Sequence, residues 1–332
     1  MNILAIESSC DDTSAAIIIN GKIRSNIVAS QAIHQKWGGV VPELASRAHQ
    51  QHIVAVVNEA ISVANIAKND LNAVAFTRGP GLLGSLLVGT SFAKAFALGL
   101  NIPLIEVNHM QAHVLAHFID EPKPTFPFLC LTVSGGHTQI VLVKEALDME
   151  IIGETQDDAV GEAFDKAAKL LGFEYPGGPM IDKFAALGDA RKYKFPISDM
   201  PELGFSFSGV KTSILYFLQK ETQKNELFIE TNKADICASI QYTLIEILMK
   251  KLKLASQQYA IKNIAIAGGV SANKGLRNTL NNLGQELGWQ VFIPNFEYCT
   301  DNAAMIAMAA HFKAEKNIFS PNNISPLPRM VW

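Results

Sequence analysis

The chain has 332 residues, 48% of them hydrophobic and 18% charged, with a formal net charge of −3. At about 150 residues per domain this length predicts two domains that bury roughly three quarters of their unfolded surface, and the apolar composition excludes a largely disordered chain. The slightly acidic balance excludes the strongly basic surface of a protein that grips nucleic acid unaided, so an RNA role requires a local patch or helper proteins.

In chain order, residues 3–7 predict a strand, 8–13 a polar turn carrying Asp11 and Asp12, and 14–19 a return strand. Residues 71–77 predict a strand leading through Gly79-Pro80-Gly81 into a helix. The apolar run 82–100 is broken by Gly84, Gly89 and Lys94, which predicts an amphipathic helix and no membrane span. A strand at 102–107 precedes a helix opening near His109. Residues 128–133 and 139–143 repeat the strand-turn-strand plan around Ser134, Gly135, Gly136, His137 and Thr138. A helical region follows at about 155–258, strongest at 161–171, 180–187 and 234–256. A strand at 261–267 leads through Gly268-Gly269 into a helix, and one at 289–293 leads into a helix near Asp301. The tail 321–332, rich in Pro and Asn, carries no helical or strand period.

The same units thus occur twice in the same order. That predicts an α/β fold of two duplicated lobes, 1–125 and 126–332, with the helical insertion in the second and a ligand and metal cleft at the centre. Cys10, Cys130, Cys237 and Cys299 show no CxxC spacing, and the N-terminus lacks the basic and apolar regions of an export signal. Both features predict a soluble protein in the reducing cytoplasm.

His109 and His113 stand four apart, which places them about 5–6 Å from each other on one helical face. At that spacing both ring nitrogens can reach one ion. Met110 occupies the place where a zincin protease carries its general-base Glu. Asp301, at the matching corner of the second repeat, completes a two-His, one-carboxylate set suited to Fe2+ or Zn2+. The alternative for Asp301 is a helix N-cap. Asp11 and Asp12 serve either a cation, a water or an attacking amine, or simply close their turn through Asx bonds. The Ser134-Gly135-Gly136-His137 and Gly268-Gly269 turns offer backbone amides to an anion, although paired glycines also serve hairpins and tight packing. Asp165 and Lys211 fit ligand contacts and solvated surface charge equally well. No GxxxxGK[ST] phosphate loop is present.

Together, ESSCDDTS (7–14), GGVVPELASR (38–47), GPG (79–81), His109 with His113, VSGGHT (133–138), GEAFDK (161–166), YPGGP (175–179), FSFSGVKT (205–212), GGVSAN (268–273) and CTDNAA (299–304) closely resemble the TsaD family. The resemblance spans about residues 2–312 in matching order and implies the actin-like ATPase fold. It implies transfer of a threonylcarbamoyl group from threonylcarbamoyl-AMP to the exocyclic amine of the adenosine 3′ to the anticodon, in tRNAs reading ANN codons, with release of AMP. On matching positions, His109, His113 and Asp301 would hold one divalent metal, Fe2+ or Zn2+. Thr132, Val133, Ser134, Gly135, Gly136 and His137, with Asp165, Gly178, Asp182 and Asn273, would hold the adenylate. Asp11 and Asp12 would act at the transferred group; many family members carry Glu where this chain has the shorter Asp12. The resemblance further implies a bacterial setting, an upstream threonylcarbamoyl-AMP synthase, a TsaB-like paralogue and a TsaE-like ATPase.

The competing readings are a sugar kinase or ATPase on the same fold, whose Mg2+ would prefer oxygen ligands, a metallopeptidase, and a non-catalytic assembly paralogue, which has no need of three metal ligands.

Overall fold

In β1 (Asn2–Glu7) successive side chains alternate between faces, yet Ile3, Leu4, Ala5 and Ile6 are all buried, so its sheet must be covered on both sides. The computed structural model, which describes residues 1–30 and 39–332, shows how this is done. Gly38, the first residue of the GGVVPELASR motif, lies outside the described residues.

β1 pairs antiparallel with β2 (Thr13–Ile19), which turns through Asn20 and Gly21, both at positive φ, into β3 (Lys22–Ala29). After α1 (Pro42–Val63), β4 (Ala73–Gly79) adds parallel to β1. After α2 (Leu83–Leu100), β5 (Leu104–Asn108) adds parallel to β4 and runs straight into α3 (His109–Leu115). The sheet order is β3-β2-β1-β4-β5. On one face Leu4, Ile6, Val74 and Phe76 pack with Ile53, Val57 and Ala60 of α1 and Ala93 and Ala97 of α2. Among the described residues, α2 is the one helix long and apolar enough to cross a membrane by length and composition.

The second unit repeats the plan. It contains β6 (Phe128–Val133), β7 (Thr138–Glu145), β8 (Asp148–Glu154), α4 (Val160–Leu170), α5 (Gly178–Ala185), α6 (Ser208–Lys224), α7 (Phe228–Tyr259), β9 (Asn263–Ala267), α8 (Lys274–Leu287) and β10 (Gln290–Phe292). Its sheet order, β10-β9-β6-β7-β8, is the first order with β6 in the place of β1. Helices α4 to α7 fall within the expected insertion and build the unit's core with Leu129, Leu131, Ile140, Ile264 and Ile266.

The last helix, α9 (Ala303–Glu315), belongs to the first unit. The units are Met1–Lys123 with Glu145–Met149 and Pro294–Trp332, and Pro124–Lys144 with Glu150–Ile293. This differs from a division at 125/126, which leaves the C-terminal segment in the second lobe. The reason is packing: Ala303, Ala304, Ala307 and Ala310 share a core with Ile3, Ala5, Ala16 and Ala75, and such small side chains let the helix lie close on the second face of the first sheet.

Two strands, β3 and β8, and two helices, α1 and α6, are not singled out by the sequence periodicity. β3 and β8 end their sheets and are only partly buried, so neither shows a clean alternation. Helix α6 has no local start signal because its cap is remote. Asp157 accepts hydrogen bonds from the Phe207 and Ser208 amides at 2.8 and 3.4 Å and from the Ser206 and Ser208 hydroxyls at 2.5 and 2.7 Å. Partial burial would raise the Asp157 carboxyl, but these donors outweigh it and hold it below the usual carboxylate range. Asp157→Ala is expected to lower stability by about 1 kcal/mol at neutral pH, the ordinary worth of a helix cap, read as a lower urea midpoint. Because the native carboxyl titrates below its unfolded value of about 3.9, the difference between variant and parent should persist above that pH and close as the pH falls through the lowered native value.

Candidate metal centre and glycine turns

The first unit brings its two histidines and Asp301 together at the starts of two helices. At the β5–α3 corner Asn108 is the N-cap, its Oδ1 accepting from the Met110 and Gln111 amides at 2.9 and 3.2 Å. His109 therefore begins the helix and His113 lies one turn on, both buried, with ring centroids 4.7 Å apart and planes at 90°. At the other corner Asp301 stands just ahead of α9. It is not the N-cap: Asn302 caps the helix by accepting from the Met305 amide at 3.1 Å. The Ala303 amide donates to Ser14 Oγ at 2.7 Å and the Ala304 amide to Asn26 Oδ1 at 3.2 Å, which pins the start of α9 to β2 and β3. With its cap duty taken by a neighbour, the Asp301 carboxylate turns to the histidines.

Asp301 Oδ1 lies 3.3 Å from His109 Nε2 and 3.3 Å from His113 Nε2. One ligand atom from each residue falls within 4.8 Å of the others. Burial alone would lower the His109 imidazole, but Asp301 and Glu7 outweigh it and hold its pKa well above the usual value. Burial, added to by the His109 charge, lowers that of His113. Burial would raise Asp301, and the two imidazoles overcome it, holding the carboxyl far below the usual range. Two nitrogens and a carboxylate oxygen facing one another need protons on the nitrogens or a cation among the three. A divalent ion bound by a nitrogen-rich set of this kind fits that demand, and the set suits zinc or iron better than magnesium.

The β1–β2 turn carries Asp11 and Asp12, both partly buried. Its backbone is fixed from α1 and α2: Cys10 O accepts from Ser85 Oγ at 2.9 Å, and His49 Nε2 lies 3.1 Å from the same oxygen. A carbonyl only accepts, so His49 Nε2 carries the proton and Nδ1 accepts from the Thr13 hydroxyl, 2.8 Å away. Burial lowers the His49 pKa, which keeps this neutral tautomer in place. His49 is a functional residue the sequence periodicity did not single out; its spacing of four from both Ala45 and Ile53 on the buried face of α1 was the available signal.

In the second unit, Thr132 and Val133 end β6 with buried side chains, Thr132 Oγ1 donating to Gln139 O at 3.3 Å. Ser134 N donates to His137 O at 2.9 Å, and Ser134 Oγ accepts from the Gly136 and His137 amides at 3.3 and 3.0 Å. Gly268, at φ +87°, sits so close behind this turn that a Cβ there would come within 2.6 Å of Val133 O. By contrast a Cβ on Gly135, Gly136 or Gly269 would meet nothing within 4 Å, and none of these three needs positive φ. Neither packing nor backbone conformation accounts for those glycines. Asp165 Oδ1 accepts from the Gly177 and Gly178 amides at 2.8 and 3.0 Å, and burial raises its carboxyl.

The Gly268-Gly269 turn does not open the Asn273 helix directly. Gly269–Ala272 forms a 3₁₀ turn, and α8 starts only at Lys274. Its first amides are already taken, Lys274 and Gly275 by the Asp182 carboxylate at 3.1 and 3.3 Å and Leu276 by Asn273 Oδ1 at 2.8 Å. Lys211 is exposed on α6.

The TsaD family model, described as tRNA N6-adenosine threonylcarbamoyltransferase, matches residues 22–308. The chain is 62% identical over 332 residues to a Christiangramia forsetii protein of that name, covering 99% of this chain and 98% of that one. It is 60% identical to one from Cytophaga hutchinsonii, covering 99% and 96%, and 56% identical to one from Porphyromonas gingivalis, covering 99% and 98%. Among solved structures, full-length HypF superposes with a TM-score of 0.65 at 14% identity, over 96% of this chain and 46% of HypF. Component A of the Acidaminococcus fermentans (R)-2-hydroxyglutaryl-CoA dehydratase superposes with a TM-score of 0.56 at 16% identity, over 96% and 99%. These likenesses place the two repeated units in the actin-like ATPase fold.

The His49 clamp has a direct test. His49→Leu strands the Thr13 hydroxyl and leaves the Cys10 carbonyl to Ser85 Oγ alone, and should lower stability by about 1–3 kcal/mol, measured by urea unfolding. A midpoint equal to that of the parent would show that the clamp carries no weight.

Proposed function

Because the chain belongs to the TsaD family and is therefore a transferase that places a threonylcarbamoyl group on N6 of adenosine in tRNA, we propose that His109, His113 and Asp301 hold one divalent ion, Fe2+ or Zn2+, required for that transfer. The observation that carries this reading is the convergence of two imidazole nitrogens and one carboxylate oxygen at the two capped corners. When bound, the ion supplies Lewis acidity toward a carbonyl or carboxylate oxygen of the donor.

The donor is threonylcarbamoyl-AMP, made by a separate synthase. Its adenylate is held by the backbone from Thr132 and Val133 through Ser134, Gly135, Gly136 and His137, with Asp165, Gly178, Asp182 and Asn273. The open space beside Gly135, Gly136 and Gly269 supports this, since a ligand can approach the backbone there without a Cβ of these residues in the way. Asp182 and Asn273 act there chiefly by fixing the start of α8. The acceptor is the adenosine 3′ to the anticodon in tRNAs reading ANN codons. Its N6 attacks the carbamoyl carbon, the bond from that carbon to the phosphate oxygen breaks, and AMP leaves with the electron pair. The turn of Asp11 and Asp12 serves the transferred group, with the Asp12 carboxylate taking the amine proton. The near-neutral charge of the chain supports helper proteins for tRNA binding, a TsaB-like paralogue and a TsaE-like ATPase, in the cytoplasm.

A His-His-Asp set argues against a sugar kinase or ATPase, whose metal takes oxygen ligands. His113→Ala should reduce bound metal from one per chain toward none and lower transfer of radiolabelled threonylcarbamoyl to tRNA by at least about 100-fold, since a ligand is lost outright and not merely misplaced. Full transfer by a metal-free variant would refute the role of the ion.

A further inference from the structure

Among the described residues, the metal set has an outer partner on the His109 side only. Glu7, the last residue of β1, ends a strand whose other buried side chains are apolar, and it is itself 0% exposed. An ionised carboxylate survives such burial only when its oxygens are occupied by donors. Here Oε2 accepts from the Thr77 hydroxyl at 2.6 Å and lies 3.0 Å from His109 Nδ1, while Oε1 accepts from the Ser9 amide at 2.5 Å. Thr77 is on the neighbouring strand β4 and Ser9 in the turn beyond β1, so the carboxylate is held from two further directions and cannot swing away.

We propose that Glu7 is the positioning residue of the metal centre, fixing His109 with its proton on Nδ1 and its Nε2 lone pair turned to the ion; this rests on the metal reading above. A carboxylate only accepts, so the bond to Glu7 assigns the His109 tautomer. It also holds the ring plane and raises the basicity of the coordinating nitrogen, as carboxylate partners of metal-bound imidazoles do. The second histidine has no such device: His113 Nδ1 is buried without a hydrogen-bond partner among the described residues. His109 is thus the ligand whose direction the fold sets, and His113 follows by helical spacing. Charge bears this out, because Glu7 and Asp301 together balance a divalent ion bound to two neutral imidazoles, leaving the buried cluster neutral.

The test is metal affinity in Glu7→Gln, which keeps the size of the side chain and removes the charge. Competition of the purified full chain against a chelator for Zn2+ should show a Kd about 10–100-fold weaker, with far-UV circular dichroism unchanged. 15N spectra of the His109 ring should show the loss of a single Nδ1–H tautomer. Thr77→Val, which removes one of the donors to Glu7, should give a smaller loss in the same direction and serves if Glu7→Gln does not fold. His113→Ala measured alongside separates the two claims. Loss of metal in His113→Ala with a Kd within twofold of the parent in Glu7→Gln and Thr77→Val would overturn the positioning role alone. Unchanged affinity in His113→Ala would overturn the metal reading itself.

Discussion

A single carboxylate oxygen facing two imidazole nitrogens at 3.3 Å needs a proton or a cation between it and each nitrogen, since lone pairs otherwise face one another. That constraint explains how strongly both corners are held. Asn108 takes the first amides of α3, while Asn302, Ser14 and Asn26 take those of α9. Each is a short polar side chain acting on a helix start, and each removes a freedom that would let a ligand drift. A metal set needs such rigidity, because a donor displaced by a fraction of an ångström loses much of its bond.

Duplication supplies the raw material for this centre. α3 follows β5 as α9 follows β10, the same corner of each repeat, and both helices end in the first unit, packed on one another. The repeat thereby delivers two equivalent helix starts to one place, where one contributes histidines and the other a carboxylate. The second unit keeps the same sheet order but uses its turns differently. Its hairpin turn carries Gly135 and Gly136 and the first carries Asp11 and Asp12, so one turn has little side-chain bulk and the other presents acids.

The paired hairpins, the strand–glycine–helix units and the histidine spacing were legible because each is a local pattern with one structural solution. The unit to which residues Pro294–Trp332 belong was not, since only the small side chains of α9 packed on Ala5, Ala16 and Ala75 decide it. The start of α6 within the expected helical region was hidden by a cap about fifty residues upstream in Asp157. In CTDNAA the sequence left cap and ligand open for Asp301, and the answer lay next door, with Asn302 as the cap. Glu7 was the plainest missed signal: a carboxylate closing the apolar run of residues 3–6 has to find donors, yet which donors is a tertiary fact.

The most direct measurement is single-turnover transfer from threonylcarbamoyl-AMP to unmodified tRNA, with the partner proteins present, by protein stripped with a chelator and then given one equivalent of Fe2+ or Zn2+. The account predicts that stripping abolishes transfer and that one equivalent restores it in the parent but not in His109→Ala. Transfer that survives complete stripping, or that returns equally in His109→Ala, would contradict it.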